Sequence, residues 1–573
     1  MSKNEKIENW GRYLVNLLII GAFLVNIKSI FTDYDVDVEY AVAMGYRMVR
    51  GERMFIDMWE PHQTSGFLCY LFTKLYLLIT NTTTGLVLYL NSAGFICYSI
   101  VVYFFYKTIN YKVSPLLGKL IALFLFVVRV KDVQIMEFAN MQIMFSILLM
   151  TCLLKHYENE KKKGWLVLGA FALCAEIVSY PSCIVVFLIV LLIISVYSSE
   201  RIKDMAIFGG VCIVAGISYI TYFLYQTSIS ELMNSIRHII AFDDYHNNNI
   251  TNKESYFTFF NQGIAWMLQC LCISAAVTFV IRCICKLKAK KHGGEYRSPA
   301  VLSIFAVSLM LSDIFLVIVK RERFTYLVTY LLIIIIGCVG YKYCSKEERK
   351  LICVVGFISL GSFFATMLLT DLDFLSVVRY LVVAVAIAIL PISKLLDRHY
   401  SLKKSVYIRY MILIMFVGTI IFRRGFMFKA DSFSGFNLFD IGGVVKSGPE
   451  LGIVTEYFAA YNKNQSMVDW LDYINPGESL LLVGNETVNC INYLYQDVII
   501  SNPSVISTPT YNEEMLVYWE QYPDKYPDVI AVDCWFGELH VPEDSWIMQW
   551  INNNYMPYET IDGTYWRFYR MKK

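Results

Sequence analysis

Asp33, Asp35, Asp37 and Glu39 stand at alternate positions in FTDYDVDVEYAVAMGYRMVRGERMFIDMWEPHQTSGFL, residues 31 to 68, directly after an apolar segment long enough to cross a bilayer. Carboxylates beside a hydrocarbon phase lose hydration and need partners, so a cluster of them at that depth points to function. A carboxylate placed there can take a proton from a hydroxyl or amine as it attacks an electrophile. Asp37 is the first candidate for such a base and Asp35 the second, with Asp57 placed to orient an acceptor or to help position the base. Each acid also has a plainer reading. Asp37 can be the N-cap of the amphipathic run VEYAVAMGYRMV, Asp33 and Asp35 solvated loop residues, and Asp57 a turn residue. Glu39, Glu60, His62 and Gln63 are candidate binding residues, with His62 read as a hydrogen-bonding partner before a metal ligand. Asp35, Asp37 and their neighbours also leave open a Mg²⁺ or Mn²⁺ site.

Three groups of cations are the electrostatic counterpart. Lys320, Arg321 and Arg323, interrupted by Glu322, fall between two apolar segments, Arg129 and Lys131 between another pair, and Arg379 a turn or two inside a third segment. They can snorkel to headgroups or pair locally, Arg321 or Arg323 with Glu322 and Arg379 with Asp371 or Asp373. Alternatively, Arg forks and a Lys point charge at the interface can hold a phosphate. Glu137 and Asn140, near the end of another apolar segment, either close the same cavity or make a polar contact between helices.

The elements that must position these residues are membrane helices. The 573 residues are 57% hydrophobic and 16% aromatic, with a mean hydropathy of +0.49, far more apolar than a soluble domain. The net charge of +2, with no basic stripe, excludes a nucleic-acid partner. The fifteen cysteines show no CxxC pair and no zinc spacing; Cys490 and Cys534 are compatible with a disulfide or with two thiols. At roughly 20 residues per span, the expected spans lie near 12–31, 85–106, 115–130, 134–154, 164–180, 182–198, 205–225, 263–285, 299–319, 324–343, 350–369, 373–394 and 407–424. The segment 66–80 is short and carries Lys74, and is expected to lie in the interface. With that segment not crossing and the N-terminus inside, KHYENEKKK (155–163), KLKAKKHGGEYR (286–297) and SKEERK (345–350) all fall on the cytoplasmic side. Residues 1–424 are then a membrane domain whose acidic loop 32–66 is extracytoplasmic.

After residue 424 the periodicity becomes short and mixed. SLLLVG (479–484), DVIIS (497–501), DVIAVD (528–533) and YWRFYR (565–570) read as strands; 467–474, 513–522 and 545–555 read as helices. The alternation predicts an extracytoplasmic α/β domain over 425–573 with some parallel strands. It contains no Gly-rich phosphate loop and no nucleophile elbow.

An acidic loop after the first span, then GERMFID (51–57) and WEPHQTS (59–65), then many spans and an α/β tail, resembles the GT-C class of polytopic glycosyltransferases. Within it the likeness is to bacterial protein mannosyltransferases and aminoarabinose lipid A transferases. Members often carry adjacent Asp-Glu about fourteen residues before the Gly. Here that count falls on Asp37, followed by Val38, with the second acid at Glu39. The resemblance implies transfer of a sugar from a polyprenyl phosphate to a glycan, lipid or protein acceptor at the outer face, in the building of the cell envelope. In that chemistry a carboxylate serves as base, and Lys320, Arg321, Arg323 or Arg379 stabilises the phosphate leaving group. Two other classes use similar parts. A transporter or flippase for a lipid-linked or polar substrate should show repeated halves or broken helices, and a non-catalytic envelope subunit would tolerate Asp37→Asn.

Overall fold

The computed structural model describes residues 3–34, 36–60, 62–129, 134–242, 254–291, 325–370, 377–399, 405–429, 436–484, 490–505, 511–535, 538–558 and 565–572. Asp35, the cations Lys320, Arg321 and Arg323, the acids Asp371 and Asp373, and the expected span 299–319 lie outside them.

Helices account for the first three quarters of the chain. They are α1 Lys3–Lys28, α2 Val36–Val49, α3 Phe67–Thr80, α4 Leu86–Ile109, α5 Pro115–Val127, α6 Phe138–Glu158, α7 Gly164–Ser179, α8 Ile184–Tyr197, α9 Arg201–Gln226, α10 Ile229–Phe242, α11 Glu254–Lys291, α12 Thr325–Gly340, α13 Lys346–Leu369, α14 Val382–His399 and α15 Ser405–Phe426. The architecture is that of a polytopic α-helical membrane protein. Among the described residues, five helices are long and apolar enough to cross a membrane: Leu86–Ile109, Phe138–Glu158, Arg201–Gln226, Lys346–Leu369 and Arg379–Asp397. Other apolar helices among the described residues, such as Pro115–Val127 and Gly164–Ser179, are shorter.

Local chemistry sets several boundaries. Pro115 opens α5 after Ser114. Ser345 and Glu348 form a reciprocal capping box on α13, and Glu137 caps α6 by accepting from the amides of Ala139 (2.8 Å) and Asn140 (2.6 Å). The expected spans 115–130 and 134–154 are corrected at their junction. The helix stops at Val127 and resumes at Phe138, and the intervening Val128, Arg129 and Gln134–Glu137 are non-helical and buried. At 1.5 Å per residue, α5 reaches only about 20 Å. Irregular backbone at such depth persists only where protein surrounds it.

The two ends of the bundle differ in chemistry. Lys112 pairs with Glu158 (3.5 Å), Lys163 with Asp204 (2.6 Å) and Lys394 with Glu348 (2.7 Å), so the lysine-rich loops gather at one end. At the other end, the Gly85 and Val87 amides at the start of α4 donate to Gly448 and Pro449 of the C-terminal region (both 3.0 Å). Both ends of α3 lie at this second end. Its first turn abuts α2 at Gly45, where a Cβ would sit 2.9 Å from the Cys69 carbonyl carbon, and the turn after it bonds Leu494 through Thr83 (2.8 Å). Leu71, Leu75, Leu78 and Ile79 leave an exposed apolar stripe along α3.

The C-terminal region adds β1 Met427–Lys429, β2 Phe436–Asn437, β3 Gly443–Val444, β4 Val454–Thr455, α16 Tyr457–Tyr473, β5 Ser479–Val483, β6 Ile499–Ile500, α17 Glu514–Gln521, β7 Val529–Trp535, β8 Glu538–Leu539, α18 Trp546–Asn554, β9 Tyr555–Pro557 and β10 Trp566–Met571. The main sheet runs β6-β5-β7-β10-β9, with β8 on β7. β5 is parallel to β6 and β7, whereas β10 is antiparallel to β7 and β9. The period-2 alternation divides the sheet between two cores. Leu480, Leu482, Val529 and Ala531 face the side of Trp470 in α16; Leu481, Val483, Ile530 and Val532 face α17 and α18. The Trp470 core also contains Tyr34, Val38, Tyr40, Val42, Leu86 and Leu90, so the first loop and the C-terminal region share one hydrophobic interior. Cys490 and Cys534 are both buried free thiols.

Candidate active site

The acidic loop is divided by the fold into two environments. Asp33 and Glu39 turn toward the C-terminal region, where the Lys463 ammonium lies 3.8 Å from each and also bonds Glu450. Tyr34 donates to Glu450, Tyr495 donates to it at 3.1 Å, and Thr455 donates to Asp33 at 2.7 Å. Burial opposes the charge on Lys463, yet Glu450, Asp33 and Glu39 hold its ammonium well above the usual lysine range. Burial, then Glu450, pushes the Tyr34 hydroxyl up. Backbone bonds Asp33 N to Val454 O (3.0 Å) and Val454 N to Phe31 O (2.7 Å) complete the seam. Glu39 thus serves this junction.

Asp37 points elsewhere. Helix α2 begins at Val36, so Asp37 occupies its first turn rather than the N-cap position, and it is half-buried. A carboxylate there is favoured by the unpaired amides of the helix start. Its charge reaches Tyr380, which also feels Glu137. Arg379, the residue before Tyr380, is half-buried and brings a cation to the same end of the bundle. The His62 ring stacks on Phe138 (5.0 Å) and Tyr180 (6.0 Å), and Tyr180 meets Phe138 (5.6 Å) and Tyr380 (6.2 Å). The rings of His62, Phe138, Tyr180 and Tyr380 therefore form one aromatic wall, and the charges of Glu137 and Asp37 both act on its Tyr380 member. Asn140 donates to Ile135 O (3.1 Å), holding the irregular segment that leads into Glu137.

The remaining candidates build the frame. Arg47 is fully buried and bonds Glu52 (2.6 Å), Glu60 (2.7 Å) and the Pro503 carbonyl (3.2 Å). Glu60 also accepts from Ser504 (2.6 Å) and the Val505 amide (2.8 Å), while burial keeps its carboxyl above the ordinary range. Gln63 accepts from the Phe55 amide (2.5 Å) and donates to Glu60 O (3.0 Å). That bracing accompanies Phe55 in a left-handed conformation (φ 59°), a strained state for a bulky residue. Asp57 closes its own loop on Arg53 (2.8 Å). Burial opposes its charge, but Arg53 holds the carboxyl below the usual range. Trp59 stacks on His238 of α10 (4.8 Å), whose Nδ1 meets Glu514 at 2.8 Å. Thr64 bonds Val178 O (2.7 Å) and ties the WEPHQTS element to α7.

Sequence reasoning missed Tyr380, Tyr180, Phe138, Arg47 and Lys463. Tyr380 carries a signal, being adjacent to the flagged Arg379; Lys463 carries none. Among the described residues no group of three or more His, Cys, Asp or Glu side chains is arranged to hold a metal ion. A carboxylate such as Asp37 can accept a proton, and a cation such as Arg379 can offset developing negative charge.

The chain matches no protein-family model and no curated protein. Among solved structures it is similar to the Archaeoglobus fulgidus oligosaccharyltransferase tethered with an acceptor peptide, at TM-score 0.44 and 12% identity, covering 98% of this chain and 74% of that one. AglB from the same organism, in complex with an inhibitory peptide and a dolichol-phosphate, gives TM-score 0.43 and 11% identity over 93% and 70%. ArnT from Cupriavidus metallidurans bound to undecaprenyl phosphate gives TM-score 0.40 and 10% identity over 98% of each chain.

Proposed function

We propose that this protein transfers a sugar from a polyprenyl-phosphate donor to a glycan, lipid or protein acceptor on the extracytoplasmic face of the membrane. The observation that carries the reading is the half-buried Asp37 carboxylate in the first turn of α2, whose charge acts on Tyr380, the residue after Arg379. The acceptor oxygen or nitrogen attacks the anomeric carbon, the bond to the phosphate oxygen breaks, and the acceptor proton passes to Asp37. The leaving phosphate needs no strong acid, only stabilisation of its charge. Arg379 supplies that stabilisation, with Lys320, Arg321 and Arg323, which lie outside the described residues, as the further cations of the proposal. The ring faces of His62, Phe138 and Tyr180 form an apolar wall of the kind that orients a ligand beside a few polar groups. A divalent cation at Asp37 and Asp35 is a secondary element of this proposal. Mass spectrometry of lipids from cells lacking the protein tests the reading. Accumulation of one lipid-linked sugar, with loss of that sugar from an envelope glycan, is the expected result, and an unchanged lipid-linked sugar pool refutes it.

A further inference from the structure

Arg129 is a buried cation with an incomplete set of partners. It sits on the non-helical segment between α5 and α6, with 4% of its surface exposed. Its guanidinium lies 3.4 Å from the centre of the Tyr98 ring, and its Nη2 donates to the Gln134 side-chain oxygen at 2.7 Å. Gln134 is fixed in that orientation because its amide nitrogen donates to Asn26 (3.0 Å) and Ser29 (2.5 Å) of α1. Among the described residues the N–H groups on Nε and Nη1 meet no acceptor. A guanidinium carries five donors and is never deprotonated in ordinary conditions. Among the described residues no carboxylate pairs with Arg129. A second guanidinium, Arg424 at the end of α15, is near enough to oppose it electrostatically. Lys28 adds a third cation close by, bonded to the carbonyls of Arg424 (2.7 Å) and Met427 (2.6 Å).

Burying a charge without a counter-charge costs several kcal/mol, and a neighbouring like charge raises that cost. Ring contact with Tyr98 offsets only part of it. The segment leads directly into Glu137 and adjoins the end of α1 that enters the acidic loop, so it lies at the end of the bundle that carries the C-terminal region. Once the apolar helices sit in a bilayer, that end lies near headgroup depth, where phosphate oxyanions are the abundant anions. We propose that Arg129 and Arg424 form an anion site that takes the phosphate of a membrane lipid. The site rests only on placing the bundle in a bilayer and stands or falls separately from the sugar-transfer reading.

Arg129→Met tests it, because an apolar side chain of similar length removes the unpaired charge and keeps the packing against Tyr98. Purified full-length protein in a zwitterionic detergent is titrated with phosphatidylglycerol, phosphatidylcholine, a polyprenyl monophosphate or inorganic phosphate. Retained lipid is read by native mass spectrometry and thermal stability by tryptophan fluorescence. The expected result is that lipids of net negative charge bind and stabilise the wild type, the zwitterionic phosphatidylcholine, whose phosphate is offset by its own ammonium, does not, and Arg129→Met binds about 10- to 100-fold more weakly, the scale of one hydrogen bond to a charged group. Without lipid, Arg129→Met should be as stable as wild type or more so. The relative affinity of the monophosphate and phosphatidylglycerol then distinguishes carrier from bulk lipid as the source. Equal lipid response in wild type and Arg129→Met overturns the site. So does an Arg129→Met protein that is less stable without lipid while Asp132→Asn is equally destabilised, since Asp132 would then be the counter-charge.

Discussion

Replacing Glu60 with glutamine tests the frame that holds the site. The Arg47 and Glu60 side chains are both fully buried and 2.7 Å apart. Removing one member of a buried pair costs about 3–5 kcal/mol, because the other charge is left uncompensated. Arg47 keeps Glu52 at 2.6 Å, and the substituted amide keeps an oxygen for Ser504 and the Val505 amide. The loss for Glu60→Gln should therefore fall near the lower limit, about 3 kcal/mol. Arg47→Met leaves Glu60 buried with neutral donors only and should cost a similar amount. In the double variant no unpaired charge remains at this pair, so the two losses should fail to add by about 2 kcal/mol, within the range of coupled neighbours. Tryptophan fluorescence during unfolding of the detergent-solubilised protein reads this, since Trp59 and Trp519 are buried beside the network. A double variant whose loss equals the sum of the singles would refute the pairing. A Glu60→Gln protein as stable as wild type would do the same.

Three more expectations follow from the geometry. Gly45→Val should push α2 from α3, costing about 1–3 kcal/mol as an overpacked contact, which the same unfolding assay detects; an unchanged midpoint would contradict the close approach. Lys463→Met leaves Asp33, Glu39 and Glu450 without their shared cation, so limited proteolysis should cut between the first loop and the C-terminal region faster than in wild type, and equal rates would argue against the junction. Asp57 has a folded value below its unfolded one, so its contribution is present above about pH 4 and is lost as pH falls through the lower folded value. The stability gap between wild type and Asp57→Asn should accordingly shrink between pH 6 and pH 3, and a gap that widens would reverse the sign.

The strands at 479–483 and 529–535 are legible because short aliphatic runs are bracketed by Pro, Gly and Asp. The first half of α16, YFAAYNKNQS, is not, since its polar residues show no helical period and the packing of Trp470 decides the matter. Helix α10 was hidden between two spans although it docks on the C-terminal region through His238 and Phe242. The α5–α6 junction misled because Val128 and its neighbours continue an apolar run while Arg129 is drawn to Tyr98 and Gln134. At the site, the acidic cluster could be seen but its division could not. Positions 37 and 39 share a face only in an extended chain; at about 100° per residue in a helix they diverge by about 200°. Glu39 therefore lies 3.8 Å from Lys463, whereas the charge of Asp37 acts on Tyr380. The partner of Glu39 arrives from more than four hundred residues away, and no local pattern encodes it.

In the proposed reaction Asp37 removes the acceptor proton. The most direct measurement is the single-turnover transfer rate of purified Asp37→Asn with a saturating polyprenyl-phosphate sugar, alongside its unfolding midpoint. Because Asp37 lies in the first turn of α2 and not at its cap, Asn should keep the fold and donor binding. The expected midpoint is close to wild type and the expected rate is reduced about 10²–10⁴-fold, the usual contribution of a positioned base; a folded Asp37→Asn protein that transfers at nearly the wild-type rate would rule out Asp37 as the base.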